Sequence, residues 1–410
     1  MNNREKSLLI ASGELSQDAL QDQVALVTGA GRGIGLEAAC ALAWLGARVV
    51  IAEIDPETGG QAADSINRRF GTGRALFLEI DVGSEDSIAA LKKTVLEEFG
   101  PVDVMVNNAT ITPMGSVVEL PITDWDASYR VNLRGPVLLA RAFLPEMIER
   151  GSGVFVCVSS VGQAYMGAYE CFKAAQVHLA ETLAAELEGT GVAAFTIAPG
   201  LVRTPGALAG IRQLAPLYGM SEEEFFALSE GQILSAEAVG AGFAAAAALA
   251  ERYHGQEISA VMALQDAGIS LVMEEGEGGG LSLTKQQLEK ALGLTRAVTA
   301  TLEEQSRGWQ ERGLFERQWM LRDFRKNAGM PVERWLDALK DLEEALRAGQ
   351  DELDPGDLPA LDTLAGYYRH LKELAAGYAK TAGDRAQHQE IITGWVEEVQ
   401  QLQRALQPDH

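Results

Sequence analysis

The sequence predicts a doubly wound, Rossmann-type α/β fold, with a parallel sheet of about seven strands followed by an all-α helical bundle extension. Short, nearly continuous apolar segments alternate with longer helical patterns over the first 270 residues. Such segments are typical of parallel strands covered on both faces, and their alternation with helices favours a layered α/β sheet. Beyond residue 280 the hydrophobic period is helical throughout, which predicts a separate bundle of helices.

The predicted strands cover 24–27, 48–53, 75–80, 102–107, 154–158, 192–197 and 258–264. The predicted helices between them lie near 34–45, 56–69, 85–98, 122–149, 168–188 and 235–251. A chain of 410 residues is longer than the roughly 250–300 residues that one hydrophobic core usually sustains. We therefore predict an N-terminal extension (1–20), an α/β nucleotide-binding catalytic domain (21–273), a Gly/Glu linker (274–280) and a helical C-terminal domain (281–410).

Composition argues against several classes of partner. The net charge is −24, with 34 basic against 58 acidic residues, which disfavours nucleic acid and anionic membrane surfaces. No apolar stretch reaches the length of a membrane span, and no signal peptide is evident near the N-terminus. Cys40, Cys157 and Cys171 have no metal-ligand spacing, so we expect no metal site and a reducing, cytoplasmic compartment. Cys157 and Cys171 are predicted to be buried.

A glycine-rich loop follows the first predicted strand and precedes the first helix. Its cofactor-binding candidates are Thr28, Gly29, Gly31, Arg32, Gly33, Ile34 and Gly35. Glycines at this position let the backbone approach a pyrophosphate, while the helix N-terminus supplies N–H groups and partial positive charge. The loop therefore predicts a bound dinucleotide, with a glycine-rich turn that binds no ligand as the alternative.

Acidic residues end the next two predicted strands. Glu53 can accept hydrogen bonds from the adenosine ribose and repel a 2′-phosphate, which favours NAD. Arg32 could reach such a phosphate, so NADP remains possible. Asp81, followed by Val82, could cap the adenine pocket. The alternatives are an exposed strand-end charge at Glu53 and a simple turn at Asp81.

Tyr169 and Lys173 are four residues apart on a predicted helix, so their side chains share one face. The ammonium is expected to lower the tyrosine pKa from its ordinary value of about 10, toward the range in which general acid–base catalysis is most effective. Tyr368 and Lys372 have the same spacing in the helical tail, so this spacing alone is a weak signal. Together with the glycine loop it predicts hydride transfer between a nicotinamide and a carbonyl.

Further motifs occur in a fixed order over roughly residues 20–270. They are Thr28-Gly29-x-x-x-Gly33-x-Gly35, Asn107-Asn108-Ala109, Asn132, Ser159-Ser160, Tyr169-x-x-x-Lys173 and Pro199-Gly200 with Thr204. In these motifs and their order the chain resembles the short-chain dehydrogenase/reductase family.

The resemblance implies a role for each matching residue. Tyr169 would donate or accept the proton, Lys173 would also bind the nicotinamide ribose, and Ser160 or alternatively Ser159 would hold the substrate oxygen. Asn132 would order a water that relays protons to Lys173; its alternative role is hydrogen bonding to local backbone. The remaining cofactor-cleft candidates are Asn107, Asn108, Ala109, Pro199, Gly200, Val202 and Thr204.

The chain departs from the family pattern at two places. Thr110 stands where the family usually has glycine, and its side chain should narrow the cleft. Ser160 lies nine positions before Tyr169, a shorter spacing than is common in the family. A trimmed loop can still leave the strand end and the helix start in place, so we expect catalysis to survive.

An apolar segment, 205–234, occupies the position of the family's substrate lid and contains the acidic run 222–224. It predicts a partly apolar, small-molecule alcohol or carbonyl substrate. The leading hypothesis is an NAD(P)-dependent oxidoreductase for a secondary alcohol or its ketone, assembled as a homo-oligomer, dimer or tetramer. The alternatives are an NADP-dependent ketoreductase of the same family, and a non-catalytic nucleotide-binding scaffold or redox sensor whose helical tail binds a partner.

Overall fold

The computed structural model describes residues 8–160, 164–227, 233–270, 285–310, 320–321, 324, 328, 332–347, 364, 367–368 and 382–406. Contacts within the chain divide it into two compact units, Met1–Glu274 and Glu275–His410. The predicted linker 274–280 lies entirely outside the described residues. The two units are described separately below.

The first unit is built on one parallel sheet. Its strands are β1 (Val24–Thr28), β2 (Arg48–Glu53), β3 (Ala75–Glu79), β4 (Val104–Asn107), β5 (Gly153–Val158), β6 (Val192–Ala198) and β7 (Glu257–Ser259). They follow the order β3-β2-β1-β4-β5-β6-β7, which confirms the predicted seven-stranded, doubly wound sheet. Strand order reverses between β1 and β4, and ligands of such sheets bind at the carboxyl ends of the strands beside this reversal.

Helices cover both faces of the sheet. They are α1 (Gly33–Trp44), α2 (Pro56–Phe70), α3 (Glu85–Glu98), α4 (Ile122–Ser128), α5 (Gly135–Arg150), α6 (Gly167–Glu186), α7 (Pro205–Leu214), α8 (Glu222–Ala227), α9 (Ala236–Ala248), α10 (Ala250–Tyr253) and α11 (Ala260–Asp266). A π-helical segment, Tyr129–Arg134, joins α4 to α5. The predicted helix over 122–149 is therefore interrupted by a π turn, an irregularity that often marks functional sites.

Alternate side chains of each strand enter two different cores. In β1, Ala25 and Val27 pack with α1 and α9 on one face, whereas Val24 and Leu26 pack with α3 and α5 on the other. All five β1 residues are buried. The continuous apolar segments of the sequence thus reflect burial on both sides of the sheet.

Side chains just before several helices define where the helices begin. Asp55 accepts a hydrogen bond from the Glu57 N–H at 3.0 Å, and Pro56 occupies the first turn of α2. Ser84 and Thr204 cap α3 and α7 in the same way. Such caps satisfy N–H groups that have no partner within the helix.

The last predicted strand, 258–264, is wrong over most of its length. The strand ends at Ser259, and its hydroxyl accepts a hydrogen bond from the Met262 N–H at 3.1 Å. This N-cap starts α11, so the apolar residues after Ser259 form a buried helix. A short apolar segment does not by itself distinguish a buried strand from a buried helix.

The second unit is helical wherever it is described, which confirms the predicted helical extension. Its longer helices are α12 (Lys285–Gln310), α13 (Val332–Arg347) and α14 (Ala382–Ala405). Leu339, Leu342 and Leu346 of α13 are buried in a core that also contains Trp335. The Trp335 Nε1–H donates to the Ala328 carbonyl at 2.9 Å. In the described part of the chain, no helix is long and apolar enough to cross a membrane.

Candidate active site

The end of β1 is tied to the end of β4. The Thr28 hydroxyl oxygen accepts the N–H groups of Asn108 and Ala109, each at 3.0 Å. In return, Asn108 Nδ2 donates to the carbonyls of Thr28 at 2.9 Å and Gly29 at 3.1 Å. These bonds hold the glycine loop at the strand-order reversal, where the candidate cofactor residues of both strands meet.

The glycine positions Gly29 and Gly35 of the loop leave no room for a side chain. Gly29 and Gly33 have φ values of 65° and 59°, which favour glycine. A Cβ at Gly29 would lie 2.9 Å from the Ala109 Cα, and one at Gly35 would overlap the Gly29 carbonyl. No side chain caps the first turn of α1, so its N–H groups are available to a phosphate. This cradle fits the pyrophosphate of a dinucleotide.

Glu53 ends β2 beside this loop. Its Oε2 accepts the Gly31 N–H at 3.0 Å, and its Oε1 accepts the Ile54 N–H at 2.8 Å. Arg32 is exposed at the start of α1. The structure thus places the carboxylate and the guanidinium-bearing residue at the same loop.

Asp81 and Val82 follow β3 in a turn. Asp81 Oδ1 accepts the Gly83 N–H at 2.8 Å, and Arg130 Nη1 lies 3.3 Å from its Oδ2. Val82 is buried. The Asp81 side chain therefore stabilises the turn and pairs with Arg130 of the π-helical segment.

The segment after β6 lies across the glycine loop. A Cβ at Gly33 would lie 3.5 Å from the Thr204 side chain. Thr204 is buried, and its Oγ1 accepts the Ala207 N–H at 3.2 Å. Pro199 and Gly200 lead into this segment, and Val202 is buried below it. Thr204 thus lies beside the glycine loop.

The tyrosine–lysine pair lies in the first turns of α6. The Lys173 side chain is only 1% exposed, and its Nζ donates to the Val158 carbonyl at 2.7 Å. Its Nζ is 6.0 Å from the centroid of the Tyr169 ring. Burial lowers the pKa of Lys173 to about 8. The lysine is thus anchored to the end of β5, beside the tyrosine.

The Ser160 side chain interacts with the Tyr169 phenol and acts to lower its pKa. Ser159 is buried, and among the described residues its hydroxyl has no hydrogen-bond partner. Despite the shortened spacing, the structure brings Ser160 rather than Ser159 to the tyrosine.

The expected direction of the tyrosine pKa shift is wrong. Burial raises the pKa of Tyr169, and the negative charge of Glu170 raises it further, whereas the hydrogen bond with Ser160 lowers it. Lys173 is itself desolvated and bonded to a carbonyl, so its ammonium does not determine the direction. A nearby ammonium favours the phenolate, but desolvation of the phenol is the larger effect here.

Glu170 was not identified as a site residue from the sequence. Burial raises the pKa of Glu170, while the Ser160 side chain and the positive charge of Lys173 act to lower it. Its Oε2 is buried without a hydrogen-bond partner among the described residues. Its position directly after Tyr169 was the available signal.

The Asn132 side chain is hydrogen-bonded to the loop after β4. Its Oδ1 accepts the Ile111 N–H at 3.0 Å and the Thr110 hydroxyl at 2.9 Å, and its Nδ2 donates to the Ile111 carbonyl at 2.8 Å. The backbone partner, Ile111, is 21 residues away in sequence, so the side chain ties the π-helical segment to the loop after β4. Thr110 does not adopt a positive φ; the residue that replaces the usual glycine adds a contact to Asn132.

Asn107 and Gln176 form a buried amide pair behind the cleft. Asn107 Nδ2 donates to Gln176 Oε1 at 3.1 Å, and Gln176 Nε2 donates to the backbone carbonyl of Asn132. Gln176 was also missed from the sequence, although a glutamine seven residues after Tyr169 occupies the same helix face. The pair connects β4 to the π-helical segment.

Among its described residues, the predicted lid contains α7, a 3-10 turn and α8. Ile211, Ala215 and Phe226 form a small apolar core within it. The Tyr218 hydroxyl donates to the Ala164 carbonyl at 2.9 Å, and its ring packs edge-on against Tyr165 at 5.5 Å. The lid is thus tied to the segment between Ser160 and Tyr169.

The three cysteines are free. Cys157 is buried, but Cys171 is exposed on α6, so its predicted burial is wrong. It follows Tyr169 by two positions, which places it on a different helix face. No group of three metal-ligating side chains occurs within the described ranges.

Comparisons with known proteins identify the family to which this chain is similar. The family model described as short chain dehydrogenase matches residues 23–212. An uncharacterized oxidoreductase of Thermotoga maritima is 36% identical over 190 residues, which are 45% of this chain and 73% of that protein. The chain belongs to the short-chain dehydrogenase/reductase family. Its membership confirms the predicted family and Rossmann-type fold.

Two further relatives of this dehydrogenase/reductase have named activities. A 3-oxoacyl-(acyl-carrier-protein) reductase of Synechocystis is 36% identical over 217 residues, 50% of this chain and 87% of that protein. The crystal structure of an actinorhodin polyketide ketoreductase with NADPH has a TM-score of 0.54 and 30% identity, and the match covers 58% of this chain and 96% of that one. The chain is an oxidoreductase of CH–OH or C=O groups with a nicotinamide cofactor.

Proposed function

We propose that this dehydrogenase/reductase transfers a hydride between its nicotinamide cofactor and a secondary alcohol or the corresponding ketone, with Tyr169 as general acid and base. The meeting of Tyr169, Ser160 and Lys173 at the end of β5 carries this proposal. When bound, the nicotinamide supplies the hydride acceptor or donor. The phenol of Tyr169 gives a proton to the substrate oxygen in reduction and removes it in oxidation.

Ser160 would hold the substrate oxygen as negative charge develops there. Its contact with Tyr169 supports this choice over Ser159, whose hydroxyl is buried. Lys173, held by the Val158 carbonyl, would bind the nicotinamide ribose. Asn132 would order the proton relay through its backbone carbonyl, since its side chain is engaged elsewhere.

NAD is the proposed preferred cofactor. The carboxylate of Glu53 lies against the glycine loop, where it can accept the ribose hydroxyls and repel a 2′-phosphate. NADP is the alternative, supported by exposed Arg32 and by the NADPH in the related ketoreductase structure. The apolar lid residues support a partly apolar substrate.

The first prediction tests the proton donor. In Tyr169→Phe, turnover with ketones and alcohols should fall by roughly 100-fold or more, because general acid–base catalysis contributes on the order of 10²–10⁴. NADH and NADPH are titrated separately with both proteins, and cofactor affinity should be retained. Turnover is followed by nicotinamide absorbance.

Tyr368→Phe is the matched control, since it has the same tyrosine–lysine spacing in the helical unit. It should leave turnover unchanged. Turnover in Tyr169→Phe that stays at the wild-type level would contradict the proposal. Tight NADH binding without turnover on any substrate would favour the sensor alternative.

A further inference from the structure

Gln176 lies on the catalytic face of α6. Tyr169, Lys173 and Gln176 are spaced i, i+4 and i+7 along the helix, so their side chains line one face. Gln176 is fully buried. A glutamine amide has two donors and an acceptor, and burying it without partners would be costly. Its contacts therefore show what the fold uses it for.

The amide of Gln176 spans two elements that carry candidate site residues. Its Oε1 accepts Asn107 Nδ2 at 3.1 Å at the end of β4. Its Nε2 donates to the backbone carbonyl of Asn132 in the π-helical segment. Because both bonds are buried, each fixes the orientation of its partner more firmly than a solvated bond would.

We propose that Gln176 is a positioning residue for proton transfer: its amide orients the Asn132 carbonyl toward the Lys173 side of the cleft and fixes the π-helical segment against β4. A carbonyl oxygen has two lone pairs, so the bond from Gln176 leaves one acceptor position for a relay water. This inference rests on the proposed function, because it assigns the Asn132 carbonyl to the proton path.

The surroundings of Gln176 favour a geometric role rather than a chemical one. An amide does not titrate, so Gln176 cannot itself exchange a proton with Tyr169. Lys173 lies one turn earlier on the same face and is bonded to the Val158 carbonyl. Lys173 and Gln176 thus hold the ends of β5 and β4 respectively. Losing the bond from Gln176 to the Asn132 carbonyl would remove one contact that holds the π-helical segment.

Two variants distinguish the loss of the Nε2 donor of Gln176 from the loss of the whole amide. Gln176→Leu removes both hydrogen bonds. Gln176→Glu keeps an acceptor for Asn107 but, when ionised, has no donor for the Asn132 carbonyl. When protonated, its carboxyl O–H can donate again. Burial favours this protonated form, while Lys173 opposes it.

The expected result is a split between rate and cofactor affinity. Gln176→Leu should lower kcat by roughly 10–100-fold, the effect of misplacing a catalytic group by about an ångström, with cofactor KM within about twofold of wild type. Gln176→Glu should approach wild-type kcat at low pH and lose it as pH rises through the pKa of the new carboxyl. Gln176→Leu should show no such loss of kcat with rising pH.

Thr182→Val is the matched control, because it removes a hydrogen bond internal to α6, from the Thr182 hydroxyl to the His178 carbonyl. It should leave kcat unchanged. Wild-type kcat and pH profile in both Gln176 variants would overturn the inference. Equal losses in both variants at every pH would also overturn it, since they indicate packing alone.

Hydrogen exchange provides a readout that does not need turnover. Peptides covering residues 129–134 should exchange faster in Gln176→Leu than in wild type or Thr182→Val. Unchanged exchange there would overturn the inference even if no substrate is turned over. A wild-type protein that turns over no alcohol or ketone would instead count against the proposed function, so the two failures are distinguishable.

Discussion

Lys173 shows how a single buried charge influences both catalysis and stability. Burial lowers its pKa to about 8 from an ordinary value of 10.5. The unfolded chain therefore holds the lysine proton more tightly than the folded protein does. The free energy of unfolding is reduced by this group below about pH 8, and the penalty is relieved as pH rises toward 10.5.

Lys173→Met should accordingly raise the free energy of unfolding at neutral pH while turnover is lost. Removing the buried charge is worth on the order of 3 kcal/mol, offset by about 1–2 kcal/mol for the unpaired Val158 carbonyl. The difference between variant and wild type should shrink from about pH 8 to 10.5. Denaturant titrations of both proteins across this range measure it. A constant difference would contradict the assignment.

Glu170 should influence the pH dependence of catalysis through the neighbouring phenol. Its negative charge raises the pKa of Tyr169. Glu170→Gln should therefore move the tyrosine limb of the kcat/KM profile to lower pH. Glu186→Gln, an equal charge change at an exposed position of α6, is the matched control. A limb unmoved in Glu170→Gln, or moved equally in both variants, would show that the local charge is not responsible.

The sequence predicted the candidate site residues, but not their burial or their hydrogen-bond partners. The spacing of Tyr169 and Lys173 and the order of the motifs led to the residues that meet at β5. The direction of the Tyr169 pKa shift did not follow from the sequence, because burial depends on the packed fold. Gln176 was missed because its partners, Asn107 and the Asn132 carbonyl, are distant in sequence.

Among the elements, α2 carries two adjacent glycines with opposite surroundings. A Cβ at Gly59 would overlap the Phe77 ring of β3, whereas one at Gly60 would meet nothing within 4 Å. The first glycine permits close packing of α2 on the sheet. The second only adds backbone freedom to the unfolded chain.

The pair gives a prediction with its own control. Gly60→Ala should stabilise the first unit by about 0.5–1 kcal/mol, and Gly59→Ala should destabilise it by roughly 1–3 kcal/mol. Thermal unfolding of both variants under identical conditions measures the difference. The same sign for both would show that the Phe77 contact does not control this packing.

Element boundaries were predictable where caps and turns accompany the hydrophobic pattern. The start of α2 follows from Asp55 and Pro56. The boundary between β7 and α11 was not predicted, because apolar residues continue past Ser259. Nothing in the sequence pattern distinguishes Ser259 as an N-cap from Ser259 as a strand residue. The π-helical turn has no simple sequence signature, since it depends on how Asn132 and Ser128 bond in three dimensions.

For the whole molecule, two units have separate cores. The family model ends at residue 212, so the helical unit lies outside the matched residues. Its change from strand–helix alternation to a purely helical period was visible in the sequence. The role of the helical unit did not follow from the sequence, because amphipathic helices pack equally well for assembly or for partner binding.

Deleting residues 281–410 should leave turnover largely intact, because the candidate catalytic residues all lie in the first unit. We expect the deletion to change the oligomer mass by more than the residues removed, because the number of subunits changes; light scattering measures this alongside steady-state kinetics. A large loss of turnover in a folded truncated protein would show that the helical unit participates in catalysis. An unchanged number of subunits would remove assembly as its role.

The bond from the Tyr218 hydroxyl to the Ala164 carbonyl, at 2.9 Å, has a kinetic consequence. A bulky substrate that displaces α7 and α8 outward also displaces the backbone at Ala164, four positions after Ser160. Size discrimination would then appear in the rate of the chemical step as well as in binding, because small displacements of reacting groups are costly.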